Sequence, residues 1–356
     1  MGKNGRHVHV VGTGTIGEPL IGLLCDFRKD LGIDTVSFNK KQALTNDRPK
    51  VRNLIKRGAH LVADKEMIPK FEDLGMKVTY EYEEACGLAD VIIDCTPSGN
   101  ANKEASYVKH EVSIKGFVAQ GSEFGFGKPY ARGINDEALE PGKDKYIQVV
   151  SCNTHNLAVI IDTLALQEKD PGNLLDARFV LIRRANDISQ DSKFIPAPQA
   201  NKHDDPDFGT HHARDAYHLF KTLNYELPLF SSAMKVNSQY MHAMWFSLML
   251  KEKITLPTVI ARLRENQRVA LTEKRSTNAV FSFGRDQGHY GRLLSQTVVC
   301  VPTLHVRGDH EVVGFTFTPQ DGNSLVSSVA IAAWYLYPED YVERLQPLRE
   351  FFFEEI

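Results

Sequence analysis

The sequence predicts an α/β protein of two domains, a doubly wound parallel sheet followed by an α+β domain with a mostly antiparallel sheet. Three observations carry this expectation. At 356 residues the chain exceeds the usual size of a single core, so length favours two domains. The first 150 residues or so alternate short apolar strands with helical stretches, the pattern of βαβ units. Later strands are longer and alternate more clearly, which suits an antiparallel sheet with helices on one face.

Taken in order, the first-half strands are His7 to Val11, Thr35 to Phe38, Lys77 to Tyr80, Val91 to Cys95, Gly116 to Gln120 and Tyr146 to Val150. A first helix is expected from about Thr15 to Leu31, with Leu20, Leu23, Leu24, Phe27 and Leu31 at helical spacing and Gly32 as its C-terminal cap. A second clear helix runs from about Asn156 to Leu166, and a strand from Leu174 to Arg183 opens a new pattern. A polar, Pro-rich loop fills Ile195 to Thr210; strands follow at Arg268 to Leu271, Val298 to Val306 and Val312 to Thr318, and the tail from Ser324 to Phe353 is helical. These elements place a first, Rossmann-type domain at 1–152, joined by the C-terminal helix 321–356, and a second domain at 153–320; the motifs below make the first the dinucleotide-binding and the second the catalytic domain.

Composition narrows the function. With 42% hydrophobic and 24% charged residues the chain is an ordinary globular protein rather than a disordered or fibrous one. Forty-two Lys and Arg against 45 Asp and Glu leave a net charge of -3, so no broad basic field invites nucleic acid and any anion site must be local. Cys25, Cys86, Cys95, Cys152 and Cys300 are odd in number and lack a CxxC, as expected of free thiols in the cytoplasm. The N-terminal apolar run is too short for a signal-peptide core, and no later stretch approaches a membrane span.

Gly12, Gly14 and Gly17 form an unbroken G-x-G-x-x-G between a strand and a helix. The first glycine permits the tight turn, the second lets the backbone approach a pyrophosphate, and the third lets helix and strand pack closely; the helix start supplies free N–H groups and a positive dipole. This is the Rossmann-type dinucleotide signal. In NAD-preferring sites the second strand ends on a carboxylate for the ribose hydroxyls, whereas here it ends Ser37-Phe38-Asn39-Lys40-Lys41. The missing carboxylate and the two cations favour a 2′-phosphate, hence NADP with NAD tolerated.

Cys152 follows an apolar strand, sits in the small polar turn Ser151-Cys152-Asn153-Thr154 and enters a helix. A helix N-terminus stabilises a thiolate, and the same N–H groups can hold an oxyanion formed when that thiolate attacks a carbonyl. The other four cysteines lie in helices or strands and read as small buried hydrophobes. A metal site from His203, Asp205, Asp207 and His211 matches no ligand spacing, so no metal is expected.

These residues resemble the archaeal branch of the glyceraldehyde-3-phosphate dehydrogenase family. The carriers are Gly12 to Gly17, Asp94-Cys95-Thr96-Pro97, Gln120-Gly121, Ser151 to Thr154, Arg183-Arg184-Ala185, His211-His212 and Gln320-Asp321, in family order across nearly the whole chain. The resemblance implies that Cys152 is the nucleophile, with Ser151 and Asn153 around the aldehyde. It implies that Thr15, Ile16, Gly121 and Gln320 line the cofactor site, that Arg183 and Arg184 serve phosphate of substrate or cofactor, and that His211 or His212 is the general base, the other binding substrate. It further implies a homotetramer acting on a small-molecule substrate with inorganic phosphate. The expected activity is reversible, NAD(P)-dependent oxidation of D-glyceraldehyde 3-phosphate to 1,3-bisphosphoglycerate through a thioester, in glycolysis or gluconeogenesis. Rival readings are a tetrose-phosphate or aspartate-semialdehyde dehydrogenase and a non-catalytic nucleotide-binding regulator.

Two departures stand out. The family turn usually continues Thr-Gly after Asn-Thr, but this chain has His155 and Asn156, which places a further imidazole near the thiol. A downstream histidine of some archaeal relatives has no clear match; Asn237, Ser238 and His242 are the candidates.

Overall fold

The computed structural model describes residues 5–356 apart from 122, 189, 191–193 and 320, and the side chain of residue 168. Gln320, expected at the cofactor, therefore lies outside the described residues. Two compact units emerge: one comprises 1–128, 139–149 and 325–349, the other 129–138, 150–324 and 350–356.

The first unit is built on β1 (His7–Val11), β2 (Thr35–Asn39), β3 (His60–Ala63), β4 (Tyr80–Glu81), β5 (Val91–Asp94), β6 (Gly116–Gln120), β7 (Lys128–Tyr130) and β8 (Tyr146–Val149), in the order β4-β3-β2-β1-β5-β6-β8-β7. From β4 to β8 the pairings are all parallel. Strand order reverses beside β1, where chain segments leave the sheet in opposite directions, so the carboxyl ends of β1 and β5 frame a crevice. β1, β5 and β6 are buried along their whole length, as central strands of a parallel sheet should be, the polar His7, His9, Asp94 and Gln120 included.

Three details differ from the sequence reading. The first helix spans Gly17–Asp26, and the chain continues in hydrogen-bonded turns to Gly32, which takes the left-handed φ of +66° expected of a terminator. His60–Ala63 is a strand the periodicity did not reveal, because four residues behind an amphipathic helix carry too short a signal. Of Lys77 to Tyr80 only Tyr80 joins the ladder.

The second unit holds β9 (Leu174–Arg183), β10 (Gln199–Ala200), β11 (Leu229–Lys235), β12 (His242–Leu250), β13 (Val269–Thr272), β14 (Thr297–Arg307) and β15 (Glu311–Thr318), ordered β10-β11-β9-β12-β15-β14-β13. β9-β12, β12-β15, β14-β15 and β10-β11 are antiparallel, while β9-β11 and β13-β14 are parallel. The sheet is thus mixed and mostly antiparallel; β11 and β12 were unforeseen, the paired serines Ser231 and Ser232 breaking the apolar run of β11. Helix Cys152–Leu164 is buried on nearly every side and forms one core with Phe179, Leu181, Leu219, Phe220, Met244 and Phe246. Among the described residues no helix is long and apolar enough to cross a membrane.

Candidate active site

The glycine turn of the first unit opens onto a cavity of about 630 Å³. Its geometry fits the roles that spacing assigns. Gly12 has φ +95°, and a Cβ on Gly17 would overlap the Gly12 carbonyl oxygen. A Cβ on Gly14 would meet nothing within 4 Å, so space lies open where a pyrophosphate would approach the backbone. Gly12, Gly14, Lys40 and Lys41 line the cavity together with Thr96, Ser98 and Asn102. Thr15 and Ile16 lie in the turn, Ile16 at the position that starts helix Gly17–Asp26.

The far wall is held by Asp94 at the end of β5. Its carboxylate accepts from the Thr96 N–H at 2.8 Å, the Thr96 hydroxyl at 2.7 Å, Asn102 Nδ2 at 2.7 Å and the Tyr107 hydroxyl at 2.6 Å. This explains why an Asp belongs in Asp94-Cys95-Thr96-Pro97: it folds the loop against the glycine turn, where Thr96 Cγ2 lies 3.1 Å from the place of a Gly12 Cβ. Gly121 follows β6 with φ +66° and open space beside it. Turn geometry, open volume and lysines together fit a dinucleotide.

In the second unit Cys152 is the first residue of its helix. Ser151 caps it: the Thr154 N–H donates to Ser151 Oγ at 3.2 Å. The Asn153 N–H pulls the Cys152 thiol down, in the direction the turn predicts. The net effect on the thiol is nevertheless upward, to about 11, because burial comes first and the Asp321 carboxylate adds to it, with Arg184 pulling the other way. Burial thus outweighs the donor at the start of the helix. Asp321, itself buried and at φ +63°, is pushed up to about 6 by burial against Arg184 and Arg292.

Asn153 joins the thiol turn to the histidine pair. Its Nδ2 lies 3.4 Å from His212 Nε2, and its Oδ1 accepts from the Thr318 hydroxyl at 3.1 Å. Thr318 in turn accepts from Asn156 Nδ2 at 2.8 Å, and Asn156 Oδ1 accepts from Thr297 and Thr316 at 2.6 and 3.0 Å. His212 Nδ1 meets Thr210 Oγ1 at 3.1 Å, backed by Ser231 Oγ at 2.7 Å. These partners assign the proton to Nδ1 and leave the Nε2 lone pair directed at Asn153. His211 stacks on His212 at 3.9 Å between ring centroids. Burial holds both imidazoles neutral: His211 falls to about 4, with Arg183 and Arg214 adding to the effect, and His212 falls well below its ordinary value, with His211 and Arg183 contributing.

The other imidazoles are engaged elsewhere. His155 is fully buried, its Nδ1 3.0 Å from the Ser151 carbonyl oxygen, and burial takes it down to about 4. His242 Nδ1 accepts from the Arg184 N–H at 3.0 Å. Arg183 and Arg184 also part company, as successive side chains near a strand end do. The Arg183 charge acts on His211 and His212, whereas Arg184 is buried, pairs with Asp187 at 2.7 Å and acts on Cys152 and Asp321. Nε and Nη1 of Arg184 have no hydrogen-bond partner among the described residues. Sequence reasoning gave no electrostatic role to Asp321 and did not find Thr210, Ser231 or Arg292; Asp321, Ser231 and Arg292 act through partners distant in the chain, and Thr210, two residues before His212, belongs to no motif.

The first unit thus carries a glycine-turn crevice of the dinucleotide type, and the second a cysteine at the start of a helix, followed by an asparagine that contacts a histidine. No family model matches the chain. Curated archaeal proteins do: it is 27% identical to glyceraldehyde-3-phosphate dehydrogenase of Methanobacterium bryantii over 321 residues, 85% of each chain. It is also 27% identical to the protein of that name from Sulfurisphaera tokodaii over 320 residues, covering 85% of this chain and 84% of the other. A third, from Metallosphaera sedula, is 27% identical over 268 residues, 71% of this chain and 72% of the relative. The chain is a distant homologue of archaeal glyceraldehyde-3-phosphate dehydrogenases, as its motifs indicate, and the relatives support a dehydrogenase of that type.

Proposed function

We propose that this chain is a phosphorylating glyceraldehyde-3-phosphate dehydrogenase that prefers NADP and tolerates NAD. The observation that carries the reading is the link from the Cys152 turn through Asn153 to His212, a nucleophile and a neutral imidazole on one hydrogen-bonded frame. The archaeal relatives' names support the substrate.

Cys152 attacks the aldehyde carbon, forming a carbon–sulfur bond and a hemithioacetal. His212, whose Nε2 is the unprotonated nitrogen, takes the hydroxyl proton as its long contact with Asn153 Nδ2 gives way, while His211 and Arg183 bind substrate. A nicotinamide nucleotide, held by the glycine turn, Thr15, Ile16, Lys40, Gly121 and Gln320, would supply the hydride acceptor. Inorganic phosphate then attacks the thioester carbon; the carbon–sulfur bond breaks and Cys152 leaves as thiolate, with the acyl phosphate as product. Arg184 supports that phosphate, since two of its N–H groups lack a partner among the described residues. Ser151 and Asn153 orient the carbonyl. We extend the reading to a cytoplasmic homotetramer, which sedimentation equilibrium tests.

The assay is nucleotide reduction with glyceraldehyde 3-phosphate and a panel of aldehydes, with and without phosphate or arsenate. The reading expects turnover that depends on the anion and vanishes in Cys152→Ser while NADP still binds. Anion-independent turnover, or activity retained in Cys152→Ser, overturns it.

A further inference from the structure

The cationic end of the first-unit cavity extends beyond the two lysines that follow β2. Lys50, from helix Arg48–Lys56, lines the same cavity as Lys40 and Lys41, and its Nζ donates to the Thr13 carbonyl oxygen of the glycine turn at 3.3 Å. Asp47, at the end of the short helical turn Thr45–Asp47, holds Lys40 Nζ at 2.6 Å on one carboxylate oxygen and Lys50 Nζ at 3.5 Å on the other. Glu18 Oε2 lies 3.7 Å from Lys50 Nζ. One carboxylate thus bridges two cavity cations. Burial alone would raise the Asp47 carboxyl, but the Lys40 hydrogen bond and charge, with Lys50 behind them, bring it below its ordinary value. It is therefore an anion at neutral pH.

We propose that Asp47 and Lys50 are specificity-determining residues of this pocket: Asp47 pre-pairs Lys40 and Lys50, and a cofactor's 2′-phosphate must displace it, so that Asp47 limits the preference for NADP over NAD. The inference rests on reading the cavity as the cofactor site. A ribose hydroxyl is neutral and leaves the Asp47 bridge intact. A phosphate carries up to two negative charges, needs the same ammonium groups and is repelled by the same carboxylate. Asp47 therefore opposes one cofactor and is indifferent to the other, while Lys50, held over the turn by the Thr13 carbonyl, supplies a donor the phosphate can share.

Calorimetric titration of NADP and NAD into the full-length wild type, Asp47→Asn and Lys50→Met tests this. Each exposed or half-exposed charge pair is worth up to about fivefold in affinity. Asp47→Asn should tighten NADP by roughly three- to fivefold and Lys50→Met should weaken it by a similar factor, with NAD changed less than about twofold in both and the effects shrinking at high salt. If the wild type binds both nucleotides and the ratio of affinities is unchanged in both variants, or both nucleotides weaken in parallel, the inference is overturned and the cofactor reading stands. If the wild type binds neither, the cofactor reading fails and takes this inference with it.

Discussion

Replacing Asp321 by Asn tests the electrostatic frame around the thiol. Cys152 is raised to about 11 by burial first and by the Asp321 carboxylate second, so at pH 8 about one thiol in 10³ is ionised. Asn keeps nearly the same shape and tolerates the left-handed backbone that Asp321 adopts at φ +63°. Removing one like charge beside a buried thiol is worth about one pH unit, which raises the thiolate population about tenfold. A less basic thiolate is also a weaker nucleophile, so the gain in alkylation rate is about threefold. The gain has its own pH dependence: the Asp321 carboxyl titrates near 6, so wild type and variant should react alike at lower pH and diverge as pH rises through that value. Iodoacetamide rates between pH 5 and pH 10, with the alkylated peptide mapped to Cys152, give the measurement. A wild-type rate that plateaus near neutrality, or a ratio of rates that does not change with pH, refutes the reasoning.

Other outcomes follow from the same geometry. His212→Asn should lower turnover by about 10²- to 10⁴-fold with little change in cofactor affinity, and Thr210→Val, which removes the Nδ1 partner, should fall between that variant and wild type; equal losses in His211→Asn and His212→Asn would undo the assignment of Nε2 of His212 as the base. His155→Thr should lower the melting temperature and spare turnover, because the ring bonds the Ser151 backbone within the core; a turnover loss larger than that of His212→Asn would move the base to His155. Acid should destabilise both units. His9, in the first, is depressed to about 3 by burial and by His7, and His155, in the second, to about 4 by burial. The unfolded chain binds these protons near pH 6.5, so the stability they support is full above that pH and lost as pH falls towards the folded values. By pH 4 each of these two histidines withdraws about 3 kcal/mol, a large part of an ordinary stability, and a urea unfolding free energy that stays flat from pH 7 to pH 4 would contradict this.

Much of this was legible in the chain because its signals are local. The glycine turn needs only three residues between a strand and a helix, and Cys152 stands out because an apolar strand, a small polar turn and a helix follow one another without a break. β12 was missed for the opposite reason: from His242 to Leu250 its residues are buried or half-buried on both faces, so no period of two shows. The direction of the thiol's shift was hidden too. A helix N-terminus favours a lowered value, whereas burial and the Asp321 carboxylate push the thiol up, and Asp321 reaches Cys152 only through the fold. The resemblance assigned Arg183 and Arg184 to phosphate of substrate or cofactor without separating them, whereas the end of β9 sends one charge towards the histidines and the other towards the thiol. His212 could be named as half of a pair; which half faces Asn153 depends on the hydroxyls of Thr210 and Ser231, from different elements.

The central claim is a covalent acyl-enzyme on Cys152, and the most direct test is the intact mass of the chain after acid quenching in glyceraldehyde 3-phosphate and NADP with phosphate withheld. The account predicts a phosphoglyceroyl adduct that maps to Cys152, disappears when phosphate is added and is absent from Cys152→Ser. Nucleotide reduction with no adduct on the chain, or an adduct on Cys25, Cys86, Cys95 or Cys300 instead, would contradict it.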